Sequence, residues 1–135
     1  KKRIVFFNVP AVTVAGDALS TFDLARLPPG AVRVLLAECK IQTSAWGAAR
    51  LLDIGHREYS TRPSDSQGSV ANEAEDLDAL AIGIDVAAAG VKDFIGVPLK
   101  YDMYSRTGIV LAAQVRGGVV PVGATLRGYV TYVYE

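Results

Sequence analysis

Apolar and polar residues alternate in short runs along most of the chain, and Gly, Pro, Asp and Ser punctuate the runs. This period of two predicts an antiparallel all-β domain of seven or eight strands. Residues 3–9 open the series and residues 21–26 follow, with Phe22 and Leu24 on one face. Two prolines in the stretch Leu27, Pro28, Pro29, Gly30 cannot donate to a ladder and stop the second strand there. Over residues 31–43 the apolar phase changes. Val32, Val34 and Leu36 share one parity, Ala37, Cys39 and Ile41 the other, so a bulge or bend is predicted near residues 35–37. A further strand spans residues 50–59, with Leu52, Ile54 and His56 on one parity, and the polar stretch 60–69, with Pro63 and Gly68, reads as a mobile loop that orders on assembly.

One segment breaks the β pattern. Asn72 followed three residues later by Glu75 resembles a capping box, Glu73, Glu75 and Asp76 complement a helix N-terminus, and Leu77, Leu80 and Ala81 recur at helical spacing before Gly83. A short helix over residues 72–82 is therefore expected. The β pattern returns at residues 97–104, 108–115 and 125–134, with Pro98 placing the first of these at a sheet edge or a strand start. Gly117 and Gly118, after Arg116, read as a hairpin turn between the last two strands. The sum is a single antiparallel β-sandwich domain over residues 1–135, jelly-roll-like, with one short helix in a long connection and with residues 1–9 as an arm or edge strand.

Composition narrows the function. The 135 residues carry 14 basic and 14 acidic side chains, so no charge excess favours binding to nucleic acid, and no direct nucleic-acid partner is expected. No stretch reaches the roughly 20 apolar residues of a membrane span, and no membrane partner is expected. The four apolar residues after Lys1, Lys2 and Arg3 are too few for the apolar region of a secretory leader. One Cys rules out an internal disulfide, and Cys39 with His56 is too small a set for a Cys/His zinc site.

Candidate chemistry is sparse. Cys39, His56 and Asp53 could in principle form a nucleophile, base and orienting group. However, Cys39 and His56 lie on apolar parities, which predicts a buried thiol and a partly buried His satisfied by a backbone partner. The carboxylates Glu73, Glu75, Asp76 and Asp78 lack the spacing of a calcium loop and read as solvated charge. No catalytic, cofactor-binding or metal-ligating residue is nominated, and the chain reads as non-enzymatic. The candidate contact residues are Arg3, Phe6, Phe7, Trp46 and Tyr129. Phe6 and Phe7 are adjacent on a strand and cannot enter the same core, so one of them is free for a partner. Trp46 and outward tyrosines such as Tyr129 could contact protein, or form a stacking platform in a carbohydrate-binding module.

Four runs carry a resemblance: residues 48–59, with Arg50, Leu52, Asp53, Gly55 and His56; residues 75–80, from Glu75 to Leu80; residues 83–90, from Gly83 to Gly90; and residues 123–133, with Arg127, Gly128, Tyr129 and Tyr132. In their order they resemble small β-sandwich virion structural proteins of tailed bacteriophages, of the capsid decoration or cement type. The resemblance covers residues 31–135. It implies a non-enzymatic protein on the virion capsid surface, made in the host cytoplasm, that binds the major capsid protein and stabilises the head shell as a homo-oligomer, with a trimer favoured. A neck, tail or head-fibre protein is the structural alternative. No site residue is carried over from the resemblance.

Overall fold

The computed structural model describes residues 1–16, 19–61, 72–97 and 100–134. Twelve strands run through them: β1 (Lys2–Val9), β2 (Thr21–Leu27), β3 (Gly30–Leu35), β4 (Lys40–Thr43), β5 (Leu51–His56), β6 (Tyr59–Ser60), β7 (Asn72–Glu73), β8 (Asp76–Asp85), β9 (Gly90–Asp93), β10 (Lys100–Ser105), β11 (Ile109–Arg116) and β12 (Leu126–Tyr134). The chain is an all-β, jelly-roll-like sandwich, as the alternation predicts, but with more strands than the expected seven or eight.

One sheet is built on β12. β1 pairs with it along one edge, from Lys2 opposite Val133 to Val9 opposite Leu126. Its other edge is shared: β3 pairs with residues 132–134 and β4 with residues 126–129, while β10 lies outside β3 and β9 outside β4. The predicted bend explains the sharing. Leu36–Glu38 form a single 3₁₀ turn between β3 and β4, closed by the Cys39 N–H donating to the Leu36 carbonyl at 3.3 Å. Thr131, in mid β12, bridges the break. Its hydroxyl donates to the Glu38 carbonyl at 2.6 Å and its N–H donates to Cys39 Sγ at 3.4 Å, so a carbonyl and an N–H at the break find side-chain partners.

The second sheet runs β2, β11, β5, β8, all antiparallel, and β6 and β7 form a separate two-stranded ribbon. Between the two main sheets lies the core, with Val32, Val34, Ile41, Leu126 and Val130 from one and Leu52, Ile54, Leu111, Ala113 and Val115 from the other. Because β11 and β12 belong to different sheets, the segment carrying Gly117 and Gly118 crosses between sheets. The expected hairpin there is not formed.

The expected helix over 72–82 is also overturned, since β8 pairs with β5 across it. The pairing shows why the pattern misled. Between Leu52 and Ile54, β8 runs from Ile84 to Ala81, and between Ile54 and His56 it runs from Ala81 to Asp76. The extra residues are bulges, and each bulge shifts the inward phase, so Ala79, Leu80 and Ala81 are buried in succession. An out-of-phase strand of this kind imitates a helical period. Gly55 accommodates the larger bulge: a Cβ there would sit 1.9 Å from the Asp76 carbonyl oxygen. Pro98 and most of the polar 60–69 stretch lie outside the described residues, but β10, the strand after Pro98, is at a sheet edge as expected.

Candidate functional site

The alternation of β1 and β12 sorts the nominated residues. Phe7 is opposite Gly128 and turns inward. A Cβ on Gly128 would come within 2.9 Å of the Phe7 ring and 2.2 Å of the Lys40 carbonyl oxygen, so the ring packs where no side chain competes with it. Phe7 is 5% exposed and belongs to the core, whereas Phe6 is 73% exposed on the outer face. Phe6 is opposite Tyr129, and the two rings meet edge to face with centroids 6.1 Å apart. Trp46 is 2% exposed. Its backbone N–H donates to the Val86 carbonyl at 2.9 Å, its Nε1–H to the Thr125 carbonyl at 3.3 Å, and its ring packs edge to face on Phe22. This corrects two of the nominations: Phe7 and Trp46 are packing residues, and Trp46 has no open ring face for a partner or a glycan.

Two concave regions remain around the other three residues. On the outer face of the β12 sheet, side chains form cross-strand rows. Phe6, Tyr129, Lys40 and Asp93 make one row, Asn8, Arg127, Gln42 and Val91 the next. Between the rows is a groove of about 270 Å³ whose floor is Phe7, Gly128 and Ile41, successive partners on β1, β12 and β4, with the Phe7 and Ile41 side chains turned inward. Arg127 Nε donates to Gln42 Oε1 at 2.9 Å, and Lys40 pairs with Asp93. Of these lining residues the sequence nominates Phe6, Phe7 and Tyr129. Arg127, Gln42 and Asn8 gave no sequence signal, because the strand pairing that aligns them is long range.

The second region lies near the start of β1, on the face of β12 that looks inward. Arg3 sits over the Tyr134 ring at 5.1 Å, and Tyr134 meets Tyr132 edge to face. Together with Arg26, Pro28 and Pro29 they line a cleft of about 320 Å³. Arg26 donates from Nη2 to the Thr107 carbonyl at 2.6 Å. Neither guanidinium has a carboxylate partner among the described residues. Beside this cleft β1 offers an edge that no strand pairs among the described residues.

The other candidate groups do not converge. Cys39 is buried in the β12 sheet, with Sγ donating to the Leu35 carbonyl at 3.3 Å, and burial pushes its thiol up to about 11. His56 is fully buried in the other sheet, with Nδ1 2.9 Å from the Arg57 carbonyl and its ring on Tyr59; its Nε2 has no hydrogen-bond partner among the described residues. The backbone partner was expected, but the His is more deeply buried than its sequence position indicated. Asp53 is held by Arg116 and the Gly83 N–H. The three share no hydrogen bond. Glu75 pairs with Arg57 at 2.9 Å, and the Asp76 side chain, hydrogen-bonded to that of Asp78, holds the Asp78 carboxyl above its usual range. The described residues contain no group of three or more side chains suited to a metal ion.

No protein-family model matches the sequence, and no curated protein matches it. In structure the chain is similar to a chain of the cyanophage Pam1 capsid asymmetric unit, with a TM-score of 0.56 at 14% identity, covering 99% of this chain and 85% of that one. It is also similar to a chain of the infectious bursal disease virus VP2 subviral particle, with a TM-score of 0.51 at 12% identity, covering all of this chain and 33% of that one. These likenesses define the class of fold: a β-sandwich of the viral capsid type. The first covers nearly the whole chain, including the first thirty residues, which lie outside the sequence resemblance.

Proposed function

We propose that this protein is a non-enzymatic structural component of a virion, a decoration or cement protein that docks on the major capsid protein and braces the head shell. The observation that carries the reading is the likeness, across 99% of the chain, to a chain of a cyanophage capsid asymmetric unit. Two surface features support it. The edge of β1 offers backbone groups to a partner strand, and the adjoining Arg3, Arg26 and Tyr134 cleft presents two guanidiniums to a partner carboxylate. Self-association as a trimer is part of the proposal. A heterologous contact between the β1 region of one copy and another face of the next can close into a ring.

The test is the copy number of this chain relative to the major shell protein in purified particles, by quantitative mass spectrometry. A ratio near one per shell subunit supports the lattice-wide role, and Arg3→Glu then lowers occupancy. A few copies per particle move the protein to the neck, tail or a head fibre. Absence from particles overturns the virion reading.

A further inference from the structure

The groove on the outer face of the β12 sheet has two unlike walls. One is aromatic: Phe6 offers most of its ring to solvent, and Tyr129 stands edge-on behind it. The other is made of planar hydrogen-bonding side chains, Asn8 and Gln42 with Arg127 between them in register. The bond from Arg127 Nε to Gln42 Oε1 fixes both groups. It leaves the Gln42 amide N–H groups and the Arg127 Nη groups with donors to spare. The charge is one-sided as well. Lys40 is matched by Asp93, but Arg127 has no carboxylate partner among the described residues, and no residue lining the groove is acidic.

We propose that this groove binds a saccharide unit bearing a carboxylate, of the uronic acid class. A pyranose has the same two-sided chemistry as the walls. Its C–H face packs on an aromatic ring, its vicinal hydroxyls accept from forked amide and guanidinium donors, and a ring carboxylate supplies the charge that Arg127 lacks. Size points the same way. About 270 Å³ is the scale of one or two sugar rings, just under the usual range of ligand sites, about 300 to 1,000 Å³, whereas a protein partner needs about 800 Å² of surface on each side. The groove faces away from the core on a different surface from the Arg3 cleft, so a shell-docked copy could hold both contacts.

The test is titration of the full-length protein, followed by calorimetry and by shifts in backbone amide resonances, with three probes: trigalacturonate, neutral maltotriose and hexaglutamate. Trigalacturonate is expected to bind at millimolar concentration and to shift Gly128, Ile41 and Asn8. Phe6→Ala weakens it about tenfold. Arg127→Gln weakens it about tenfold and brings it level with maltotriose. Arg3→Ala, which removes equal charge elsewhere, leaves binding unchanged. The proposal is overturned if trigalacturonate does not bind, if Phe6→Ala leaves its binding unchanged, or if hexaglutamate binds the groove as well as the sugar does. That last result would assign the groove to acidic peptides. All three probes act on the isolated protein, so the outcome is separate from its copy number in particles.

Discussion

Arg116 grips Asp53 with two hydrogen bonds, Nε to Oδ2 at 2.7 Å and Nη2 to Oδ1 at 3.0 Å, and the Gly83 N–H donates to Oδ1 at 2.9 Å. Asp53 is buried on β5, Arg116 is on β11 and Gly83 is on β8, so one carboxylate ties three neighbouring strands of the sheet, the bulged β8 among them.

Removing one partner of this pair leaves a buried charge uncompensated. Arg116→Met is expected to cost about 3 kcal/mol, and Asp53→Leu combined with Arg116→Met to recover part of that loss. Urea unfolding of the two variants checks both signs. Equal stability of Arg116→Met and the parent chain would show that water or another cation replaces the guanidinium.

Gly55→Ala places a methyl group 1.9 Å from the Asp76 carbonyl oxygen, a backbone clash that no rotamer relieves. The expected loss is at least about 4 kcal/mol, read as a fall in the denaturation midpoint or as failure to accumulate folded protein. Gly90→Ala, at a position where the added Cβ meets nothing within 4 Å but φ is +149°, is expected to cost only the backbone strain, about 1 kcal/mol.

The two adjacent phenylalanines should respond in opposite ways to truncation. Phe7→Ala empties a core site above Gly128 and is expected to cost about 3 to 5 kcal/mol. Phe6→Ala removes an exposed ring with one edge contact and should cost under about 1 kcal/mol. Thermal unfolding of the pair separates the packing role from the surface role.

Cys39 and Tyr59 give the fold an alkaline limit. Burial raises the Cys39 thiol from 9.0 to about 11 and the Tyr59 phenol from 10.0 to about 12. In both cases the unfolded chain releases its proton at lower pH than the folded one. Stability is therefore full below about pH 9 and falls as pH rises through the window from 9 to 12. Cys39→Ala should remove the earlier part of that fall. At pH 8 the thiol should resist a thiol reagent in the native state and react on unfolding.

Local pattern carried much of this fold. The turn at Pro28 and Pro29, the bend near Leu36, the opposite orientations of Phe6 and Phe7 and the burial of Cys39 all follow from period-two alternation or from proline's missing donor. Those effects act within a few residues. What the pattern could not carry depended on distant partners. The larger bulge of β8 depends on the room that Gly55 leaves on the neighbouring strand, and the bulges turn a strand's phase into an apparent helix. Trp46 reads as a surface candidate because it falls between Ala45 and Gly47 in a connection outside the predicted strands, yet Phe22, Val86 and Thr125 enclose it from three distant parts of the chain. The candidate groove depends on Asn8, Arg127 and Gln42 meeting across β1, β12 and β4, a register that no single sequence displays.

The central place of β12 has a consequence for how the chain reaches this state. Its partners β1, β3 and β4 all precede it by more than eighty residues, so during synthesis they emerge long before the strand that joins them. Loops of that length must close before the pairing is rewarded, and high contact order of this kind slows folding. Until Leu126–Tyr134 arrives, the nascent chain exposes unpaired edges and apolar faces that are prone to association. Refolding is therefore expected to be rate-limited by docking of β12, with substitutions at Val130 or Thr131 slowing folding and those at Phe6 leaving the rate unchanged.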